Sequence, residues 1–493
     1  MPSLVPRDAS LLVVLQIFCR IITFSMNIWV VKNVSPAEFG TANVRLYLLY
    51  SLIVSLSREG VRRTCLRQQS GSLYHLSLIP FALGVMLTSC MLAYVLMTEP
   101  DAHTSTALVI TAGGALIELL WEPYYNENMR AGNIARRAKI EALAVLGRSL
   151  TTALLVHPAV ALSLWAFAAG HVAHGLLLGL GYWLIPPPPP AAAAAAAVSS
   201  SRKEGLPTSA IPWSLLGVLT WQFTQSHILA ESENVVLLWV TTASMLEDQG
   251  IFALAANLGA LTARLLFQPM EEVGYACLVR KDADSNRSFL QLWTYAMRFG
   301  LFFAVFGPFY APWVLRILYG SSWGILAGGY LRLWSVYIAL LSLNGLSEAY
   351  VMGTASTSFL KQHNMFLLFL GVGGILTSSM LITYWKDTFY ILMWTSIVSM
   401  GSRAIFNLIY IKQMSTLALR PILLPSNTVC AITAMIIAIN CCTILYFPSE
   451  SLLPVLIGAS QALLFLYALS TMDGLHIPGW SRIFPDRRKT KSE

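Results

Sequence analysis

The chain has 493 residues, of which 56% are hydrophobic and only 11% are charged, and its formal net charge at pH 7 is +8. A soluble domain carries roughly 25% charged residues, so this composition excludes a soluble globular protein and predicts a polytopic membrane protein. The long apolar runs lack the period-two alternation of a transmembrane β-barrel, and we therefore predict an all-α fold.

Fourteen apolar runs have the length of membrane-spanning helices. They cover about residues 9–31, 42–57, 73–97, 104–121, 140–157, 159–185, 211–240, 249–269, 293–319, 327–350, 364–385, 387–411, 422–446 and 451–472. The first run is long and is followed by further spans, so we interpret it as a helix and not as a cleavable signal. Because fourteen is even, both termini are expected on one side of the membrane.

Lysine and arginine are distributed very unevenly over the predicted loops. Of the 32 Lys and Arg residues, 22 lie in loops on the side of the termini, and only Lys32 and Lys386 lie in the opposite loops. Loops rich in Lys and Arg stay in the cytosol, so we expect cytosolic N- and C-termini. The same distribution explains the positive charge without a nucleic-acid partner, and none is expected.

A low-complexity segment rich in proline, alanine and serine separates the sixth span from the seventh. We predict a first lobe over 1–185, a cytosolic linker over 186–210, a second lobe over 211–412, two appended spans over 413–475 and a basic cytosolic tail over 476–493. This layout favours two pseudo-symmetric six-helix lobes around a central cavity.

Polar side chains on the first two spans lie at membrane depth. Arg20 lies on one helical face of the first span, and this face forms either a helix–helix seam or a cavity wall. Arg45 lies near the start of the second span, and Arg62 and Arg63 lie at its end, either as headgroup anchors or as an anion site. Glu118 and Glu122, four residues apart at the end of the fourth span, are expected to pair with the arginines of the second.

The seventh span is the most polar, so it must lie centrally or be broken. His227, Glu231 and Asn234 share one helical face, and Glu233 lies on another with Gln222 and Ser226. His227 is either a satisfied interior histidine or, one turn from Glu231, part of a proton relay.

The eighth span carries an arginine within an apolar run. Asn257, Arg264 and Gln268 fall on one face of a regular helix, opposite a leucine face. An arginine at this depth costs about 2.5–3.5 kcal/mol on insertion scales, so it is expected to face protein or water. Arg332 lies in the tenth span, near its non-cytosolic end.

No motif in the sequence indicates an enzyme. There is no glycine-rich phosphate-binding loop, no nucleophile triad and no metal-ligand spacing among the seven cysteines. We therefore expect neither catalytic activity, nor a cofactor, nor a metal site.

Several blocks together resemble the Rft family of the multidrug/oligosaccharidyl-lipid/polysaccharide (MOP) exporter superfamily. They are NVRLYLLYS (43–51), SREGVRRTCL (57–66), ELLWEP (118–123), ESE (231–233), DQGIFALAANLGALTARLLFQPMEE (248–272), LRLWSVY (331–337) and NGLSE (344–348). The resemblance covers roughly residues 10–412. It departs from the family at Asn234, where a basic residue is usual, and in the linker.

The resemblance implies a MOP exporter-like fold in the endoplasmic reticulum membrane. It also implies a function in N-glycosylation as a flippase that moves a dolichol-pyrophosphate-linked oligosaccharide (Man5GlcNAc2 type) to the lumenal leaflet. A non-transporting accessory or chaperone protein of that pathway and an ion-coupled small-molecule exporter are the alternatives. We expect a monomer in contact with membrane lipid, with protein partners in the pathway left open.

The polar residues at membrane depth are the candidates for binding this substrate. Arginines would contact the pyrophosphate, and the other polar groups would bind sugar hydroxyls or couple the lobes. The candidates are Arg20, Arg45, Arg62, Arg63, Arg264, Arg332, Asn257, Gln268, Glu231, Glu233 and His227.

Overall fold

The protein is built from long helices joined by short connections. The computed structural model describes residues 7–67, 74–98, 101–131, 133–160, 162–186, 213–240, 245–280, 283–385, 388–415, 418–446 and 453–472. Within these ranges there is no β-strand, which confirms the all-α prediction. The basic tail, nearly all of the linker and the side chain of Glu233 lie outside the described residues.

The helices that precede residue 246 include one π-helical segment, which follows α2 directly. They are α1 (Arg7–Asn33), α2 (Pro36–Thr41), the π segment Ala42–Leu46, α3 (Tyr47–Arg67), α4 (Tyr74–Thr98), α5 (Ala102–Leu119), α6 (Glu122–Arg130), α7 (Ile134–Leu155), α8 (Ser163–Leu184), α9 (Trp213–Ala230) and α10 (Ser232–Val240).

The remaining helices include a second π-helical segment. They are α11 (Leu246–Thr262), the π segment Ala263–Phe267, α12 (Gln268–Arg280), α13 (Ala283–Tyr319), α14 (Ser321–Thr354), α15 (Thr357–Tyr384), α16 (Thr388–Met414), α17 (Leu419–Leu423), α18 (Asn427–Tyr446) and α19 (Leu453–Met472).

Each predicted span coincides with one helix or with consecutive helices, although several helices extend well beyond the predicted bounds; α13, for example, begins at Ala283 and not at residue 293. Eleven helices of the described ranges are long and apolar enough to cross a membrane. The helix α7 is not among them, because it carries charged residues along much of its length, from Arg136 to Arg148. The prediction of about fourteen spans therefore holds as an approximate number.

The chain divides into two compact units, Met1–Ala253 and Leu254–Glu493. The sequence placed the change of lobe in the linker, whereas α9 and α10 belong to the first unit. The reason is close packing of α9 on α3: a Cβ added to Gly60 would lie only 2.0 Å from the hydroxyl oxygen of Thr220. A glycine on α3 thus lets the two helix backbones approach each other.

Each unit has its own apolar core. In the first unit, buried residues of α3, α5 and α8 pack together, with small side chains such as Ala107, Ala112 and Ala168 at the contacts. In the second unit, aromatic side chains that include Phe289, Trp293 and Tyr410 fill the core. Small residues allow close helix packing, which is the main attraction between helices that are already in lipid.

Gly40 and Gly250 mark the closest approach between α2 and the first turns of α11. A Cβ added to Gly250 would lie 1.7 Å from the carbonyl oxygen of Pro36, and one added to Gly40 would lie 2.6 Å from the backbone nitrogen of Gly250. No side chain fits at either distance, so this crossing requires glycine on both helices.

A buried arginine anchors the connection to the two last helices. Arg298 of α13 is 3% exposed. Its guanidinium donates hydrogen bonds to the carbonyl oxygens of Pro421 (3.1 Å), Ile422 (3.3 Å) and Leu424 (2.9 Å). These carbonyls lie at the C-terminal end of α17, where the helix itself supplies no donors. Arg298 therefore holds the segment that precedes α18 against α13.

Candidate functional site

The first unit contains a strongly charged cavity of about 280 Å³. Arg58 and Arg62 line it from α3, one helical turn apart. Glu118 at the end of α5 and Glu122 at the start of α6 line it from the opposite side, together with Glu141 of α7. Pro123 at the second position of α6 allows the helix to begin directly after the turn at Leu120 and Trp121.

The arginines and glutamates of this cavity form ion pairs. Arg62 binds Glu122 through two hydrogen bonds, Nε to Oε2 at 2.8 Å and Nη2 to Oε1 at 2.6 Å. Arg58 donates to Glu118 and lies 3.8 Å from Glu122. The pairing predicted from the sequence is thus confirmed. Both carboxylates are buried, at 4% and 2% exposure, so the guanidinium groups are largely neutralised.

Aromatic groups complete this cluster, and no pattern in the sequence indicates them. The Tyr50 hydroxyl donates to Glu118, and Nε2 of His174 lies 3.6 Å from the same carboxylate. The guanidinium carbon of Arg62 lies 3.5 Å from the ring centroid of Tyr125. Tyr50 is surrounded by apolar residues of α3, and a pattern of hydrophobicity does not distinguish it from an ordinary core tyrosine.

A second polar cluster of the first unit joins α3 to α9 and α10. The Ser51 hydroxyl lies 3.2 Å from Nε2 of His227 and donates to Glu231 at 3.3 Å. The Asn234 amide donates to the other Glu231 oxygen at 2.7 Å. His227, Glu231 and Asn234 therefore share one face as predicted, and the helix is interrupted at Glu231. Asn234, at the position where the sequence departs from the family pattern, thus supplies a neutral partner to this acid.

The other predicted arginines of the first unit do not line the charged cavity. Arg20 is half-buried on α1, and Arg45 is half-buried within the π segment of the second span. Arg63 is exposed, with its guanidinium carbon 5.3 Å from the ring centroid of Phe223. In the same π segment, the Asn43 amide donates to the carbonyl oxygen of Phe39 at 2.9 Å. Such segments are frequent at functional sites.

In the second unit, the π segment Ala263–Phe267 contains Arg264. The Arg264 side chain is exposed, and its Nε donates to the carbonyl oxygen of Ala260 at 3.3 Å. Asn257 is half-buried and Gln268 is exposed. One extra residue in a π turn rotates the following helix by about 100°. The prediction of a common face assumed a regular helix through Arg264, and the π turn departs from that geometry.

An apolar cavity of about 430 Å³ lies beside α11 in the second unit. Leu258, Gly259 and Thr262 of α11 line it together with residues of α13, α14 and α19. Phenylalanines of α13 form much of its wall: Phe302, Phe303 and Phe306. A Cβ added to Gly259 would lie 2.6 Å from the Trp334 ring, so this glycine allows α11 to approach α14.

Arg332 lines a different cavity of the second unit, of about 410 Å³. Its side chain is exposed on α14, and Arg316 of α13 lines the same cavity. The sequence did not single out Arg316, because an arginine in the last turn of an apolar helix is also typical of an interfacial anchor.

Comparison with known proteins places these features in a family. The family model described as "Rft protein" matches residues 5–476. The chain is 29% identical to the Mus musculus Man(5)GlcNAc(2)-PP-dolichol translocation protein RFT1, over 88% of this chain and 89% of that one. It is 24% identical to the Saccharomyces cerevisiae protein of the same name, over 81% of each chain.

The fold of this chain is similar to that of solved structures of other membrane proteins. The lipid II flippase MurJ, in an inward closed conformation, matches with a TM-score of 0.67 and 12% identity over 93% of this chain and 98% of that one. An inward-facing MATE family transporter of the MOP superfamily matches with a TM-score of 0.54 and 13% identity over 80% and 94% of the two chains. At these identities the likeness concerns the fold alone. The predicted MOP exporter-like fold is thereby confirmed, and with the family model matching nearly the whole chain, this protein belongs to the Rft family.

Proposed function

We propose that the protein moves a dolichol-diphosphate-linked oligosaccharide from the cytosolic to the lumenal leaflet of the endoplasmic reticulum membrane. The observation that carries this proposal is the similarity, over 88% of the chain, to a relative named as a Man(5)GlcNAc(2)-PP-dolichol translocation protein. The family model matches residues 5–476, and this range includes every cavity described above.

The chemistry of the second unit is compatible with such a substrate. A polyisoprenoid tail is apolar, and the 430 Å³ cavity beside α11 is lined mainly by apolar and aromatic groups. Arg264 does not line this cavity, because it follows Thr262 of the cavity wall by two positions and so lies on the opposite face of the helix. It carries a positive charge that suits a diphosphate. The tail and the diphosphate would thus be held by different faces of one helix.

Among the candidate arginines of the first unit, Arg62 is poorly suited to the diphosphate. Both Glu122 oxygens already accept from Arg62. A phosphate would have to replace a buried carboxylate there, which is costly. The proposed cytosolic termini follow from the distribution of Lys and Arg over the loops.

The test is transport by the purified full-length protein reconstituted in liposomes. The probe is a fluorescent dolichyl-diphosphate heptasaccharide, and its movement between leaflets is followed by accessibility to a membrane-impermeant quencher. We expect faster movement than in empty liposomes. Arg264→Ala is expected to slow it by about tenfold or more, since a hydrogen bond to a charged group contributes about 1.5–3 kcal/mol.

Arg287→Ala serves as the matched control, because Arg287 is an exposed arginine of the same unit that lines none of these cavities. Its transport rate should equal that of the unchanged protein. Rates no higher than those of empty liposomes would contradict the flippase proposal.

One observation favours an accessory function as the second candidate. The two arginines of the charged cavity in the first unit are paired with carboxylates of the same cavity, which is an arrangement expected of a structural or partner-binding element. In that case the protein would still bind the dolichol-linked probe or a pathway protein, while the leaflet exchange stayed at the rate of empty liposomes.

A further inference from the structure

The cavity between the ends of α13 and α14 differs from the charged cavity of the first unit in its balance of charge. Both cavities are lined by two arginines. In the first unit Arg58 and Arg62 share the walls with three glutamates. In the second unit none of the described residues that line the 410 Å³ cavity is acidic, whereas Arg316 and Arg332 both line it.

The architecture of this cavity follows from glycines on α14. A Cβ added to Gly324 would lie 2.9 Å from the carbonyl oxygen of Pro312, and one added to Gly328 would lie 3.0 Å from the Pro312 ring. The two helices therefore pack closely, and their connection at Gly320, with φ of +106°, is as short as possible. A Cβ at Gly329 would lie 2.3 Å from the Tyr390 hydroxyl, so the absence of a side chain at Gly329 leaves room for this phenol beside the cavity.

The arginines line the cavity at two depths. The Cβ of Arg316 lies next to Gly324, 3.1 Å from where a Cβ on that glycine would be. The guanidinium carbon of Arg316 lies 5.5 Å from the Trp313 ring centroid. Arg332 is eight residues further along α14, which corresponds to about 12 Å. The predicted loops on this side of the membrane hold only two of the 32 Lys and Arg residues. Two arginines in one cavity are therefore a local concentration and not part of a general basic surface.

The rim of the cavity is apolar. Ile325 lines it and is 83% exposed, and the neighbouring Leu326 is 43% exposed. In a chain of membrane-spanning helices such side chains are suited to lipid. A soluble anion would gain nothing from them, whereas a lipid would place its apolar chain there and its charged group on the arginines.

We propose that this cavity binds the phosphate group of a lipid on the side of the membrane opposite the termini. Arg316 and Arg332 donate to the phosphate oxygens, and the Tyr390 hydroxyl supplies a further donor. The lipid is either a resident phospholipid or a polyprenyl diphosphate. The proposal does not rest on the proposed transport, because a bound phospholipid would occupy the site in an accessory protein as well.

The experiment is a lipid titration of the purified full-length protein in detergent, read by native mass spectrometry. The probes are phosphatidylinositol, dolichyl diphosphate and, as the lipid without phosphate, dolichol. We expect at least one phosphate-bearing lipid to bind more tightly than dolichol. The Arg316→Gln/Arg332→Gln variant should weaken that binding by about tenfold or more.

Matched variants separate this site from a general effect of charge. Arg287→Gln removes an exposed arginine of α13 away from the cavity and should bind like the unchanged protein. Arg332→Lys keeps the charge but not the planar pair of donors, and it should retain part of the affinity. If the double variant does not fold, Arg332→Gln alone, at an exposed position, gives the answer.

The choice between the two probes identifies the source of the phosphate. Binding of phosphatidylinositol alone indicates a resident phospholipid, and binding of dolichyl diphosphate indicates a station for a polyprenyl carrier; both support the site. The proposed lipid-phosphate site would be overturned if the double variant bound these lipids with unchanged affinity. It would also be overturned if dolichol bound as tightly as both phosphate-bearing lipids. A loss of binding with normal leaflet exchange would leave the transport proposal intact.

Discussion

Single residues of the first unit show how charges are accommodated inside helices that lie in a membrane. Arg62 and Glu122 are 13% and 2% exposed, and each satisfies the other through two hydrogen bonds. A buried ion pair contributes little net stability compared with apolar residues, but the loss of one partner leaves an uncompensated charge. The two sites are therefore expected to be strongly coupled.

Glu122→Ala should lower the free energy of unfolding by about 3–5 kcal/mol, because Arg62 would remain buried without its carboxylate. The measurement is the loss of the folded state on heating in detergent. Adding Arg62→Met to Glu122→Ala should recover much of the loss. The exposed Glu127, on the same short helix, provides the control Glu127→Ala. Equal melting of the Glu122 and Glu127 variants would contradict this assignment.

The sequence predicted this pair but missed its surroundings. Two glutamates and two arginines, each pair four residues apart, give a matching pattern on two predicted spans, and such a pattern can be recognised without a structure. Tyr50 and His174 have no matching partner in the sequence. Their contacts with Glu118 depend on how α3, α5 and α8 pack, and this packing is set by side-chain shape.

At the scale of elements, the apolar runs located the helices because a chain in lipid must pair its backbone groups within each span. The close crossings were not predictable in the same way. Glycine occurs 32 times in the chain, and only the structure distinguishes Gly40 and Gly250, which touch another backbone, from glycines such as Gly113, which have no neighbouring atom within 4 Å.

Gly250→Ala should therefore destabilise the first unit, since its new methyl group would overlap the Pro36 carbonyl and force α2 away from α11. We expect a cost of about 1–3 kcal/mol, typical of overpacking, measured as a lower melting temperature. Gly113→Ala, in the interior of α5, should have no such effect, because alanine favours the helix. A Gly250 variant as stable as the Gly113 variant would show that the crossing can relax freely.

At the scale of the whole molecule, the chain comprises two compact units, of which the second includes the two last helices. The composition of the linker led us to predict the boundary between the lobes at 186–210. Low-complexity composition indicates where a linker lies, but it does not indicate which helices pack together. The position of α9 in the first unit depends on Gly60 and Thr220, a contact that no local pattern encodes.

The attachment of the last helices depends on Arg298. Arg298→Met keeps the apolar bulk but leaves three carbonyl groups without this donor, each worth about 1–3 kcal/mol when buried and unsatisfied. We expect faster hydrogen exchange at Leu419–Leu423, read by mass spectrometry, while α5 keeps its protection. Arg287→Met, on the same helix but exposed, is the control. Exchange in α17 that does not change would assign the attachment to apolar contacts alone.

The two π-helical segments, Ala42–Leu46 and Ala263–Phe267, have a consequence for the history of the chain. Such a segment has the geometry of an α-helix into which one residue has been inserted. Removing one residue from either segment would restore a regular helix. It would also rotate the part of the helix that follows by about 100° about the helix axis, relative to the part that precedes. Arg45 and Arg264 lie within these insertions. An ancestral helix without the insertion would have presented its arginine in another direction, so a change of one codon in length could have re-aimed a charge without a single substitution.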